Sequence, residues 1–337
     1  MGELELIERI RQRAAGLHAP HLRLGIGDDC ALLGLRPGEV AAVTTDLALD
    51  GRHFRLDWHP ARSVGHRTLA RGLSDLAAMG ARPLAAFLSL GLPQALTVAR
   101  GREQSQKKSP KQFQKQSWLD GFYDGLLALA EAEKTPLAGG DLAESPLTLA
   151  DIVLVGAVEQ GQALLRSGAR PGDLLYVTGE LGAAAVGLQL LIETDGGAAC
   201  SRKAAVQKLL ERHLYPQPRL AQGRRLRRLA TAAMDLSDGL SIDLVRLCAA
   251  SGVAAEVDAA HLPVAPGATL EQALSGGEDY ELLVAARPTT RLPKTIAGVR
   301  LSCIGRIVAR QKNQPQATIL IEGKKKPLQP EGWEHFS

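Results

Sequence analysis

The run Ala232-Ala233-Met234-Asp235-Leu236-Ser237-Asp238-Gly239-Leu240 passes from one kind of secondary structure straight into another. Its first five residues have the apolar character of a strand, and an acidic, glycine-bearing turn follows. From Leu240 to Ala250 the apolar residues recur at helical spacing. A strand that feeds a helix through a tight turn is the mark of a mixed α/β architecture. Ser237 or Asp238 serves either as the N-cap of that helix or, with Asp235, as a metal and phosphate platform at its N-terminus. A cap accounts for one of these residues and leaves Asp235 without a role.

The same alternation extends in both directions. Strands are expected at Val40–Leu49, Leu84–Leu92, Thr148–Glu159, Asp173–Thr178, Tyr280–Ala286 and Leu301–Val308. Helices are expected at Leu4–Ala14, Ala61–Met79, Trp118–Glu133, Lys203–His213 and Arg219–Thr231, with Pro60 and Gly80 punctuating the second of them. The order is not a clean βαβ alternation, which argues against a simple Rossmann sheet, and the class is α/β with α+β character. At 337 residues the chain exceeds one ordinary core, and two domains are expected. The boundary falls where an apolar run ends in Glu159-Gln160-Gly161-Gln162, giving domains 1–160 and 161–337.

Net charge is +4, too small at this length to argue for nucleic acid. The four cysteines, Cys30, Cys200, Cys248 and Cys303, show no Cys-x-x-Cys spacing and read as reduced thiols. Nothing approaches the roughly 20 apolar residues needed to span a bilayer. The N-terminus reads as an acidic amphipathic helix rather than a signal peptide. A cytoplasmic protein with no membrane partner is therefore expected. The stretch Arg100–Ser117 is polar, basic and poor in apolar anchors, so it reads as a surface loop.

Further acids sit beside glycines or hydroxyls at the ends of apolar runs. They are Gly27-Asp28-Asp29, Thr44-Thr45-Asp46, Ser74-Asp75, Gly139-Gly140-Asp141 and Gly276-Gly277-Glu278-Asp279. Hard oxygen ligands on turns suit Mg²⁺, and open glycine backbone suits phosphate. Asp75 stands out. It lies near the C-terminal end of a helix, where the dipole disfavours an anion, among residues that look buried. A surface pair with Arg71 or Arg82 is the plainer reading, and a metal role the sharper one. There is no P-loop, protein-kinase motif set or nucleophile elbow. His53 reads by default as a structural histidine, and Trp333 as a docking anchor or part of a binding wall.

Taken in order, Gly-Ile-Gly-Asp-Asp-Cys-Ala-Leu-Leu, Thr-Thr-Asp…Gly-Arg-His-Phe, Leu-Ser-Asp-Leu-Ala-Ala-Met-Gly, Gly-Gly-Asp, Leu-Arg-Ser-Gly-Ala-Arg-Pro-Gly-Asp, Asp-Leu-Ser-Asp-Gly-Leu and Gly-Gly-Glu-Asp-Tyr-Glu-Leu resemble the thiamine-monophosphate kinases. Each motif alone is weak; the ordered set, covering nearly the whole chain, is specific. That family belongs to the aminoimidazole-ribonucleotide synthetase superfamily. The resemblance implies an N-terminal domain whose sheet joins a partner's in a dimer barrel, and a C-terminal α/β domain.

It also implies transfer of phosphate from ATP to thiamine monophosphate, assisted by several Mg²⁺ ions and without a general base. Carried over by motif, Asp29, Thr44, Thr45, Asp46, Asp75, Asp141, Asp235 and Asp238 match metal ligands, with Asp29, Asp75 and Asp238 the most critical. Gly140, Asp141, Arg166 and Ser237 match ATP contacts. His53, Glu278 and Trp333 match contacts to the thiamine phosphate.

Three positions depart from the family's pattern. Leu142 replaces a Thr after Gly-Gly-Asp, Asp50 replaces a Glu, and the Arg100–Ser117 loop is longer. The rival readings are an aminoimidazole-ribonucleotide synthetase-like enzyme and a non-catalytic nucleotide-binding module. Selenophosphate synthetase would need a reactive N-terminal Cys and Lys. The hydrogenase-maturation dehydratase would need a C-terminal cysteine where this chain has Ser337.

Overall fold

The computed structural model describes residues 3–17, 19–27, 30–98, 117–197 and 204–333. Asp29, Cys200 and all of the 100–117 stretch except Ser117 lie outside the described residues. The chain opens with α1 (Glu3–Ala14), the short strands β1 (Leu22–Leu24) and β2 (Leu32–Leu33), and the long β3 (Glu39–Leu49). Next come α2 (Ala61–Ala78), β4 (Arg82–Leu92), α3 (Trp118–Ala132), β5 (Leu137–Glu144) and β6 (Leu149–Glu159). The C-terminal half contributes β7 (Leu174–Thr178), α4 (Ala183–Glu193), α5 (Ala204–Leu214), α6 (Leu220–Leu226), β8 (Ala232–Leu236) and α7 (Leu240–Ser251). It continues through β9 (Ala254–Asp258), α8 (Leu270–Ser275), β10 (Glu281–Ala286), β11 (Thr295–Ile296), β12 (Val299–Val308), β13 (Ala317–Ile321) and β14 (Lys324–Pro327).

Two compact units result. One comprises Met1–Gly34, Thr45–Leu69 and Leu84–Leu154; the other comprises Leu35–Thr44, Ala70–Pro83 and Val155–Ser337. A four-stranded sheet runs β3-β6-β4-β5, with β4 and β5 parallel. In the first unit α3 starts on a capping box: Ser117 Oγ accepts the Asp120 N–H, and the Asp120 carboxylate accepts the Ser117 N–H. Gly65 and Gly125 let α2 and α3 meet backbone to backbone. A Cβ at either would overlap a carbonyl oxygen of the facing helix, that of Phe122 or of Arg62.

The second unit is built on an eight-stranded sheet in the order β14-β13-β9-β12-β7-β10-β8, with β11 beside β12. Every residue of β8 and of β10 is buried. Near-continuous apolar runs such as Glu281-Leu282-Leu283-Val284-Ala285-Ala286 are what buried strands require, and the acids within them become exceptional. Helix α7 lays Leu240, Leu244, Leu247 and Cys248 against a core with Leu175, Val177, Leu236, Leu283 and Ile304. That spacing of four, three and one is one face of a helix.

Two expectations change on contact with the structure, and one helix is new. Gly139-Gly140-Asp141, read as a phosphate turn, lies inside strand β5, in parallel register with Phe87, Leu88 and Ser89. Close approach explains the glycine: at Gly140, φ is 146° and a Cβ would overlap the Leu88 carbonyl. The helix expected over Arg219–Thr231 stops at Leu226, because Leu229 and Ala230 both turn back onto the Leu226 carbonyl. Thr231 N–H then already donates to Ala285 O in the sheet. Helix α8 carried no strong apolar periodicity in its six residues, yet it has a complete capping box at Thr269 and Gln272. Cys30, Cys248 and Cys303 are free thiols, Cys248 buried and the other two exposed.

Candidate active site

The second unit gathers most of the acids singled out above. Asp235 sits in β8, in register with Leu282 of β10, and is only 4% exposed. Ser74 Oγ, on α2, donates to its Oδ2 at 2.7 Å. Asp75 is the next residue of α2, and its Oδ2 accepts from Thr44 Oγ1 of β3 at 2.5 Å. Arg82 is engaged with Glu39 at 3.0 Å. The Asp75 carboxylate instead has the Asp235 carboxyl among its electrostatic neighbours. Burial first, and then the Asp75 charge, push the Asp235 carboxyl up to about 7; Asp243 adds to the rise, while Ser74 and Arg166 oppose it.

Asp243 was not anticipated. It lies in the first turn of α7, where an acid normally means no more than a favourable dipole interaction. Here it is fully buried, and Oδ2 accepts the N–H groups of Asp238 at 3.1 Å and Gly239 at 3.2 Å. Neither Ser237 nor Asp238 caps the helix; the N-cap residue, Gly239, makes no side-chain cap bond. Asp243 Oδ1 takes the Arg246 guanidinium at 2.8 Å, and the same guanidinium nitrogen contacts Asp238 Oδ2. Burial, then the Asp238 charge, raise the Asp243 carboxyl.

The Ser237–Asp238 turn also anchors two of the three expected substrate residues. Glu278 N–H donates to Ser237 O at 2.7 Å, Tyr280 N–H to Leu236 O at 2.9 Å, and Trp333 N–H to Asp238 O at 3.2 Å. Glu278 and Tyr280 both have positive φ, 56° and 49°, so this turn is held in a conformation that non-glycine residues seldom adopt. Glu278 Oε2 lies 3.3 Å from His213 Nδ1, and Trp333 is 47% exposed. Asp279 accepts the N–H groups of Gly182 and Ala184 at the start of α4; burial nevertheless holds its carboxyl up at about 7. The Arg166 side chain is exposed, and its carbonyl accepts from Ser251 Oγ at 2.8 Å.

The remaining candidates belong to the first unit. Asp46 follows Thr44 on one face of β3, and Thr45, exposed, points to the other. Gly140 and Asp141 are exposed on β5, where Asp141 Oδ1 accepts the Leu142 N–H at 2.8 Å. At His53 the ring Nδ1 accepts the Leu49 N–H at 3.0 Å, which places the ring proton on Nε2. Among the described residues no three His, Cys, Asp or Glu side chains form a complete ion-binding group.

The donor set nevertheless fits Mg²⁺. Mg²⁺ is typically held by one or two carboxylates, with phosphate oxygens and waters completing its shell. Asp75 and Asp235 supply two mutually repelling carboxylates flanked by the hydroxyls of Thr44 and Ser74.

Both halves of the chain match known protein families: residues 27–158 the AIR synthase related protein N-terminal domain, and residues 170–317 the C-terminal domain of the same group. The two domains are thus those of an AIR synthase related protein. Thiamine-monophosphate kinase of Escherichia coli (strain K12) is 38% identical to this chain, over 100% of it and 98% of the relative. A crystal structure of thiamine-monophosphate kinase from Stenotrophomonas maltophilia K279a superposes with a TM-score of 0.78 at 38% identity, covering 96% of this chain and 98% of that one. A solved structure described as AaThiL complexed with AMPPCP and TMP gives a TM-score of 0.75 at 29% identity, covering 99% and 97%. The chain belongs to the thiamine-monophosphate kinase family.

Proposed function

We propose that the chain phosphorylates thiamine monophosphate to thiamine diphosphate, with ATP as donor and Mg²⁺ as the required cation. One observation carries this reading: the turn bearing Asp235, Ser237 and Asp238 also fixes Glu278 and Trp333 by backbone hydrogen bonds. The turn bearing two of the acids expected to bind metal is therefore tied by backbone hydrogen bonds to two of the groups expected to bind thiamine. We assign the domains as 1–160 and 161–337.

The acceptor is a phosphate monoester, largely dianionic at pH 7. Its nucleophilic oxygen is already ionised, so no general base is required and transfer proceeds directly to it. The barrier is Coulombic. Two unit charges 4 Å apart repel by ~4 kcal/mol at an effective dielectric of 20, and two polyanions must meet. When bound, Mg²⁺ neutralises phosphate charge and aligns the in-line displacement.

Asp75, Asp235, Asp238 and Thr44 would hold it, and Thr44 Oγ1 also donates to Asp75. Thr45, Asp46, Asp141 and Asp29 keep the metal-binding roles implied by the family. Arg166, Ser237 and Gly140 with Asp141 are assigned to ATP. His53, Glu278 and Trp333 are assigned to thiamine monophosphate. Glu278 accepts from the aminopyrimidine, and Trp333 presents a ring face to the cationic thiazolium.

The deciding experiment offers the purified chain ATP and Mg²⁺ with either thiamine monophosphate or an aminoimidazole-ribonucleotide precursor. Thiamine diphosphate from the first and no turnover of the second is expected; the reverse pattern sinks the assignment. Trp333→Ala should raise KM for thiamine monophosphate about tenfold with a smaller change in kcat, matching a cation–π contact of ~1–2 kcal/mol, and Trp333→Phe should recover part of it. An unchanged KM would remove Trp333 from the substrate site.

We also propose a cytoplasmic homodimer. Strand β3 lies at the edge of its sheet and leaves Val40, Val43 and Leu47 exposed, at 42%, 63% and 48%. A long apolar edge strand invites pairing with a second sheet. A monomeric mass in solution would refute this. No helix among the described residues is long and apolar enough to cross a membrane.

A further inference from the structure

We infer that Arg246 is a positioning residue for Asp238, acting together with buried Asp243 to set the direction in which Asp238 presents its carboxylate. The inference deepens the function proposed above and rests on Asp238 being a metal ligand. Asp243 is 0% exposed and uses both of its oxygens. Oδ2 accepts the backbone N–H of Asp238 and of Gly239, which fixes the main chain of the turn. Oδ1 binds Arg246 Nη1 at 2.8 Å. That same nitrogen grips Asp238 Oδ2, so one buried acid governs both the backbone and the side chain of Asp238. Only one Asp238 oxygen is taken up in this way, and a carboxylate has a second with which to ligate. Carboxylates that bind metals are themselves oriented by hydrogen-bond partners, and loss of such a partner typically costs ~10–100-fold in metal affinity.

Charge alone would give the opposite effect. A guanidinium beside a ligand carboxylate lowers the negative potential there, so its removal should tighten cation binding if orientation were unimportant. The sign of the change therefore separates a positioning role from simple neutralisation. A purely structural ion pair would change neither. With 38% of its side chain exposed, Arg246 can be replaced without opening a core cavity.

The test measures Mn²⁺ bound to the protein by electron paramagnetic resonance in the presence of a non-hydrolysable ATP analogue, for the unmodified chain, Arg246→Ala, Arg246→Lys and Asp238→Asn. Folding is checked by circular dichroism. Arg246→Ala is expected to weaken Mn²⁺ binding ~10–100-fold and raise the Mg²⁺ concentration for half-maximal rate by a similar factor. At saturating Mg²⁺, most of kcat should return. Arg246→Lys, which keeps the charge but lacks the planar fork, should lie between the two.

Unchanged or tighter Mn²⁺ binding in Arg246→Ala overturns the inference. Unchanged binding in Asp238→Asn removes its premise, and would do so even if the chain still made thiamine diphosphate. If the unmodified chain binds no Mn²⁺, the premise fails as well.

Discussion

Asp235→Asn is expected to make the metal-free chain more stable at pH 8 while cutting thiamine diphosphate formation about 10²–10³-fold. Asp235 lies in a strand whose every residue is buried, beside a second acid, and its carboxyl sits at about 7 because burial, then Asp75, oppose ionisation. A carboxyl held that far above the ordinary range costs the folded state on the order of 4 kcal/mol when the solvent forces it to ionise. The raised folded-state pKa fixes the direction. The stabilising contribution is complete below the unfolded value near 4 and is lost as pH rises through about 7.

Asn cannot ionise and still accepts from Ser74, so its melting temperature should fall less than that of the unmodified chain over this window. Millimolar Mg²⁺ should raise the melting temperature of the unmodified chain and do little for the variant. A variant that melts lower at pH 8 and turns over normally would show that the acid is there for packing. Retention of such a costly group is the usual mark of a site kept for chemistry at the expense of stability.

Arg219→Ala should produce the largest loss of stability, about 3–5 kcal/mol in urea unfolding. Its partner Glu281 is 1% exposed at the start of β10, directly after the Gly276–Tyr280 turn. Arg219 Nε donates to Glu281 Oε2 at 2.6 Å, its Nη2 reaches Oε1, and Thr178 Oγ1 donates to Oε2 at 2.7 Å. Thr178 Oγ1 in turn accepts the Leu282 N–H at 2.8 Å, so the network ties β7 to β10. Gly179, with φ 61°, keeps clear the space the carboxylate fills.

Removing the guanidinium strands a buried anion. Arg212, 3.9 Å from Oε1 and 39% exposed, is too distant and too solvated to replace it. The double variant Arg219→Met with Glu281→Leu should cost less than Arg219→Ala alone, since two apolar groups leave no charge behind. If Arg219→Ala costs under ~1 kcal/mol, water reaches Glu281 and the network does not hold this strand pair.

Much of the architecture was readable from periodicity. The strand spans expected at Val40–Leu49 and Leu84–Leu92 fall within β3 and β4, and Ala232–Leu236 matches β8, because apolar or β-branched runs of that length have few other folded uses. Gly139–Asp141 misled because a glycine pair permits a turn and also permits two backbones to touch; only the neighbouring strand β4 distinguishes the two. The end of α6 was overrun because the basic run Arg224–Arg228 keeps good helix propensity past Leu226, although the chain must leave the helix there for the sheet to claim Thr231.

Within the site, the standing of Asp75 and Asp235 was visible in sequence as acids placed where local rules disfavour them. The part played by Asp243 was not, since a first-turn acid is unremarkable until its burial is known. Local chemistry, then, was enough to mark the α/β class, the family and the acids, because capping, periodicity and motif order act over a few neighbouring residues. That Asp235 opposes Asp75 across 160 positions, and that one buried carboxylate governs Asp238, are decided by packing. The energy of a charge depends on the groups and the dielectric around it, and only the folded chain supplies those.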